Sequence, residues 1–155
     1  IGGGGAARAI AFTLSNMVGK LTIFNRHEEK ARKLAAELSR KRKKRVFSGG
    51  LQGDILEQTL SDAGLVINAT SVGMHPNEDA SILDGSLLRP DLVVFDIVYN
   101  PLETRLLREA EKAGAKTVNG VGMLVHQGAE SFRIWTGIEA PVDLMRKVVL
   151  KELSK

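Results

Sequence analysis

The chain has 155 residues, 43% of them apolar and 26% charged, with a formal net charge of +4 and no cysteine. That length suffices for one domain with its own core, and the composition is that of a globular protein rather than a disordered or fibrous one. The lack of cysteine excludes disulfides, thiolate metal sites and a cysteine nucleophile. No apolar run reaches the length that spans a bilayer, so no membrane partner is expected, and nothing resembles a secretory leader, so the expected location is cytoplasmic. The three histidines, His27, His75 and His126, stand at no metal-ligand spacing, and no metal is expected.

Strands and helices alternate along the chain. Apolar residues at three-to-four spacing predict a helix over 5–17, with Gly19 as its stop. The run "LTIFN" (21–25) reads as a strand, and "HEEKARKLAAELSRK" (27–41) as an amphipathic helix with i,i+4 pairs such as Glu29 to Lys33. "RVFSG" (45–49) reads as a strand, 54–63 as a short helix, and "LVINAT" (65–70) as a buried strand before a loop holding Gly73, Pro76 and Asn77. "LVVFDIVY" (92–99) is apolar on nearly every residue, as a parallel strand covered on both faces should be. A helix over 102–114 with a glycine stop, a strand over 116–120, and helices over 122–135 and 141–153 complete the chain.

Such alternation predicts a doubly wound parallel sheet between helical layers, an αβα sandwich. Ligands of these sheets bind at the carboxyl ends of the strands, where the loops 1–5, 25–30, 69–77, 96–101 and 119–123 fall.

The opening "GGGGAA" (2–7) supports this reading. Gly2 and Gly4 stand at the dinucleotide-binding positions, with Ala7 in the third place. One glycine permits the tight turn, the next lets backbone approach a pyrophosphate, and a helix N-terminus faces the negative charge. The strand that should lead into this turn is not in the sequence. It belongs at the sheet centre, between 21–25 and 65–70, and there is no initiating methionine. The expected fold is therefore a Rossmann-like α/β domain lacking its first strand, in a chain that is part of a longer protein.

The end of the second strand decides which nucleotide fits. An NAD site usually places Asp or Glu there, about 20 residues past the glycines, for the ribose 2′-hydroxyl. This chain reads "NRHEEK" (25–30). Asn25 is neutral, Arg26 is cationic, and Lys30 follows. An arginine can pair with a 2′-phosphate through two N–H bonds, which favours NADP. Glu28 is the residue that could still hold a 2′-hydroxyl and admit NAD.

"GGGGAARAI", "NRHEEKA", "INATSVGM", "FDIVYNPLET" and "NGVGMLVHQGAESFRIWTG" stand in one order across almost the whole chain. Together they resemble the nucleotide-binding half of the shikimate dehydrogenases. The resemblance implies reversible hydride transfer between NADPH and 3-dehydroshikimate, giving shikimate on the route to chorismate and the aromatic amino acids. It implies a pyrophosphate turn of Gly2, Gly3, Gly4, Gly5 and Ala6, and a 2′-phosphate pocket of Asn25, Arg26, His27 and Lys30. The family commonly has threonine where this chain has His27. A histidine donates fully to phosphate only when protonated, so affinity for the 2′-phosphate should rise at lower pH.

Thr70, Ser71 and Met74 match the loop past the ribose and nicotinamide. Ile97, Gly120 and Met123 match the nicotinamide wall, and Tyr99 and Gln127 match substrate contacts. The family's catalytic lysine and aspartate lie on a substrate domain upstream, so no catalytic residue is expected here and the piece alone should be inactive. The helices from about 121 to 155 should pack back onto that missing domain. A homodimer is compatible with the resemblance. The alternatives are a quinate/shikimate dehydrogenase using NAD or NADP, and a non-catalytic nucleotide-binding module.

Other features have plainer readings. Tyr99 is followed four residues on by Glu103, not lysine, so it does not match the tyrosine–lysine pair of short-chain dehydrogenases. Asp96 is either a functional acid or a tie for the loop at Asn100–Pro101. Phe132 and Trp135 are expected in the core or at an interdomain contact. "RKRKKR" (40–45) reads as a helix C-terminus favouring positive charge rather than a nucleic-acid site, because no aromatic platform interleaves it.

Overall fold

In the computed structural model, which describes residues 1–154, the chain divides into two compact units, Ile1–Thr70 and a second from Ser71 onward. The first unit holds α1 (Gly5–Leu14), β1 (Thr22–Phe24), α2 (Glu28–Arg42), β2 (Phe47–Gly49), α3 (Asp54–Ser61) and β3 (Leu65–Asn68). β1 and β2 pair in parallel, Thr22 opposite Phe47 and Phe24 opposite Gly49.

α2 buries Ala31, Leu34, Ala35 and Leu38, one stripe at three-to-four spacing. These close over Ile23, Val46 and Ala11 to form the core of the unit. Glu28 and Glu29 in its first turn and Arg40, Lys41 and Arg42 in its last suit the helix dipole. The expected Glu29–Lys33 pair forms at 2.8 Å. α1 and α2 are joined by Arg8, which pairs through both guanidinium nitrogens with Glu37; hydrogen bonds from Arg8 and Lys41 pull the Glu37 carboxyl down to about 2.

α1 ends earlier than the sequence predicts. It stops at Leu14, and Gly19 does not adopt the left-handed geometry of a helix stop. The carbonyls at this end find cations instead: Arg42 donates to Phe12 O (3.1 Å), and Lys44 to Ser15 O (3.4 Å) and Val18 O. Arg45 lies 4.8 Å from the Phe47 ring centre. The basic run thus ends α2 and binds the neighbouring helix end.

Ile1 and Gly2 lie in strand-like pairing. Ile1 N donates to Ile67 O (2.6 Å), Ala69 N to Ile1 O (2.7 Å), and Gly2 N to Phe24 O (2.7 Å). Beside them a largely apolar cavity of about 420 Å³ runs between β1 and β3, walled by Ala7, Ile10, Leu14, Leu56 and Leu60.

The second unit holds a 3₁₀ turn at Gly85–Leu87, β4 (Val93–Asp96), α4 (Arg105–Lys112), β5 (Lys116–Val118), α5 (Val121–Thr136) and α6 (Val142–Leu153). β4 and β5 are parallel, Val93 opposite Lys116 and Phe95 opposite Val118. β4 is shorter than the apolar run suggests because Asp96 turns the chain. α4 starts three residues later than expected because Thr104 caps it, its hydroxyl accepting from Leu107 N. Gly114, at φ +79°, ends it as predicted. α5 packs on α6 through Gly128, where an added Cβ would lie 3.1 Å from Met145 Cε.

Trp135 and Phe132 do not lie in a core. Trp135 is 83% exposed, and Ile134, Ile138, Leu144 and Val148 are exposed with it; α6 buries no residue. Among the described residues no helix is long and apolar enough to cross a membrane.

Leu38→Ala, at a wholly buried position, is expected to cost about 2–5 kcal/mol of stability. Leu144→Ala, on a face exposed in this chain, should stay within about 0.5 kcal/mol when the chain is unfolded by itself. Urea unfolding measures both.

Candidate functional site

The glycine turn owes its shape to crowding on one side only. Gly2 sits at φ +137°, and a Cβ there would lie 2.7 Å from Ala69 O and 3.2 Å from Ala7 Cβ. A Cβ on Gly3 would overlap the Asn25 carboxamide nitrogen and come within 3.1 Å of Lys30 Cβ. Gly4 and Gly5 face open space, with nothing within 4 Å. Packing therefore requires glycine at Gly2, which faces backbone, while a side chain at Gly3 would first have to displace the Asn25 carboxamide; at the next two positions, bareness leaves backbone accessible to a ligand.

Gly4 is the N-cap of α1, no side chain caps it, and its first turn has no acidic residue. The leading amides keep their partial positive charge for an anion. In this unit the turn, Asn25 and Lys30 come together. Arg26 and His27 are exposed at the corner between β1 and α2, and His27 is the uncapped N-cap of α2. Glu28 turns toward Gly50, where an added Cβ would lie 3.7 Å from its Oε2.

Four strand ends share one device, which the sequence marks beforehand only at Asp96, as a tie for the loop that follows. Asn25 Oδ1 accepts from His27 N (3.3 Å), Asn68 Oδ1 from Thr70 N (3.1 Å), Asp96 Oδ1 from Val98 N (3.0 Å), and Asn119 Oδ1 from Val121 N (3.3 Å). Each Asx turn bends the chain out of the strand and into a candidate loop. The signal was legible as Asn or Asp closing each apolar run. Asn68 also accepts from the Thr70 hydroxyl (2.7 Å).

In the second unit, Gly120 meets the loop after β4. Its N donates to Val98 O (3.1 Å), and an added Cβ would overlap Ile97 O and lie 2.6 Å from Val98 O. Ile97 and Gly120 are thus adjacent. Met74 N donates to Ser71 O (3.2 Å), and His75 N to Asn100 O (3.0 Å), tying the 71–75 turn to the segment that carries Tyr99. Tyr99 and Met123 are half-buried and Gln127 is exposed; Met123 and Gln127 fall one helical turn apart on α5. His75 pairs with Glu78 at 2.7 Å, and His126 is exposed. Among the described residues no cluster of three or more His, Asp or Glu could hold a metal ion.

The family model of the shikimate 5′-dehydrogenase C-terminal domain matches residues 120–150. A shikimate dehydrogenase (NADP(+)) of Methanosarcina barkeri is 56% identical over 99% of this chain. Over almost its whole length the chain is similar to part of the shikimate dehydrogenases. It spans about half the length of the curated relatives it matches, 54% for that of Methanosarcina barkeri. A shikimate dehydrogenase crystallised with NADP+ aligns over 99% of this chain and 53% of its own, at 45% identity and a TM-score of 0.91. A Corynebacterium glutamicum quinate dehydrogenase crystallised with NAD aligns over 97% of this chain and 53% of its own, at 34% identity and 0.87. The α/β class with parallel strands and a Rossmann-like plan, expected from the alternation, agrees with these neighbours.

Gly2→Ala is expected to lose more than about 1–2 kcal/mol, because it adds a left-handed penalty to a backbone clash. Gly4→Ala, at φ −91° in open space, should change stability by less than about 1 kcal/mol. Denaturant unfolding of the two variants compares them.

Proposed function

We propose that this chain binds NADP and forms the nucleotide-binding half of an NADP-dependent shikimate dehydrogenase. That enzyme moves a hydride reversibly between NADPH and 3-dehydroshikimate, toward chorismate and the aromatic amino acids. The observation that carries the reading is the uncapped, acid-free N-terminus of α1 behind two unhindered glycines, with Arg26 and Lys30 beyond the neighbouring strand. The donor set fits the cofactor: bare amides for a pyrophosphate and cations for a 2′-phosphate.

When bound, NADPH supplies the hydride. The residues here bind and orient. Gly4, Gly5 and Ala6 present amides to the pyrophosphate; Asn25, Arg26, His27 and Lys30 hold the adenosine phosphate. Thr70, Ser71 and Met74 line the ribose and nicotinamide path. Ile97, Gly120 and Met123 give the nicotinamide an apolar wall, and Tyr99 and Gln127 offer a phenol and an amide to substrate hydroxyl or carboxylate groups. The proton-transferring lysine and aspartate lie on the other half of the enzyme. The exposed stripe of Trp135, Ile138, Leu144 and Val148 is the seam that half covers. A cytoplasmic location and action without nucleic acid belong to the same reading.

Quinate with NAD is the second reading, favoured by the likeness to the quinate dehydrogenase. Against it, the Glu28 carboxylate turns toward Gly50, and cations occupy the corner after β1.

Arg26→Ala should weaken NADP+ far more than NAD+, by about 1–3 kcal/mol for a charge-assisted pair. Calorimetric titration of both nucleotides measures this; equal losses remove Arg26 from a phosphate pocket. His27→Ala, titrated the same way, should also weaken NADP+ more than NAD+; equal losses remove His27 from the pocket.

A further inference from the structure

We infer that Asp96 and Thr104 are positioning residues: a buried carboxylate–hydroxyl pair that sets the Ile97–Tyr99 segment from below. This deepens the reading above and rests on it for the meaning of Ile97 and Tyr99.

Both side chains are fully buried. The two carboxylate oxygens of Asp96 do different work. Oδ1 accepts from Val98 N (3.0 Å), which turns the chain out of β4. Oδ2 accepts from the Thr104 hydroxyl (2.8 Å), eight residues on. That hydroxyl in turn accepts from Leu107 N (3.4 Å) and caps α4. One hydroxyl thus ties the end of a strand to the start of the next helix, and the loop between them, with Tyr99 near its middle, is closed at its base.

Neighbouring segments depend on the same pair. The turn at 96–98 presents the Ile97 and Val98 carbonyls to Gly120. Thr104 also packs beneath the other loop, its Cβ 3.5 Å from where a Cβ on Gly73 would stand, and Gly73 itself is left-handed at φ +88°. A shift of Thr104 would therefore reach the 71–74 turn, the Tyr99 segment and the α5 start together. Asn25, Asn68 and Asn119 make the same two-residue turn with a neutral side chain. At Asn68 both donors come from Thr70 and reach one carboxamide oxygen, whereas at Asp96 the donors come from Val98 and Thr104 and each reaches its own oxygen, so an amide nitrogen in place of Oδ2 would face the Thr104 hydroxyl without accepting from it.

The test uses the full-length protein labelled with fluorotyrosine, the Tyr99 signal being assigned by its loss in Tyr99→Phe. Thr104→Val keeps the shape and removes the hydroxyl; Thr104→Ser keeps the hydroxyl; Asp96→Asn keeps the size and removes one acceptor. Thr104→Val and Asp96→Asn should move or broaden the Tyr99 fluorine line and raise KM for shikimate by about tenfold. NADP+ affinity should fall by a smaller factor than KM rises, because only the nicotinamide end of the cofactor meets these segments while its phosphates meet Gly4–Ala6 and Arg26. Thr104→Ser should restore the line and KM.

A wild-type Tyr99 line in Thr104→Val overturns the inference, whatever Asp96→Asn does, and so does an equal loss in Thr104→Ser. The Tyr99 line of the unliganded protein decides this without turnover. A wild-type Tyr99 signal that ignores added shikimate and NADP+ instead defeats the functional reading and leaves the positional result standing.

Discussion

How near two backbones can come decides what this protein can do at its amino end. Gly2 lies so close to the Ala69 carbonyl that it has no room for a β-carbon, and Gly3 lies against the end of the Asn25 side chain. That closeness draws the turn into contact with the chain after β3 and the end of β1, and so aims α1. The next two glycines meet nothing. A four-glycine run therefore has two parts with different causes, the first set by packing and the second left open for a ligand.

Electrostatics follow from the same arrangement. An N-terminus without a side-chain cap leaves several amides without partners, a state that favours an anion and disfavours nothing else nearby, since the first turn carries no carboxylate. The glutamates of the neighbouring helix are spent elsewhere: Glu29 pairs with Lys33, Glu37 pairs with Arg8 and Lys41, and Glu28 turns toward Gly50. Arg26 and Lys30 stand exposed on the same corner. Two of the three α2 carboxylates are thus held by cations of their own, leaving Arg26 and Lys30 available to an anion.

Much of this could be read from the residues in order. The periodicities of α2 and of the strands gave their place and type, because apolar stripes and buried runs record burial directly. Helix ends were less legible. α1 stops before Gly19 because its last carbonyls are met by Arg42 and Lys44, some thirty residues on, and no local pattern carries that. α4 starts late because Thr104 is committed to both Asp96 and the helix. For Trp135, expected in the core or at an interdomain contact, exposure excludes the core alternative: an apolar side chain signals a partner without saying whether this chain contains it. The candidate residues of each unit were legible as motif positions. The Asx turns that deliver them appear only when donor and acceptor are seen together, although the Asn or Asp at each strand end had marked the place.

The central claim is that bare α1 amides and the corner after β1 hold one dinucleotide. A crystal structure of the NADP+ complex tests it most directly. The account predicts pyrophosphate oxygens within hydrogen-bond distance of the amides at Gly4–Ala6, and the 2′-phosphate on the guanidinium of Arg26. A cofactor bound away from that turn, or an adenosine ribose held by the Glu28 carboxylate with Arg26 turned to solvent, would contradict it.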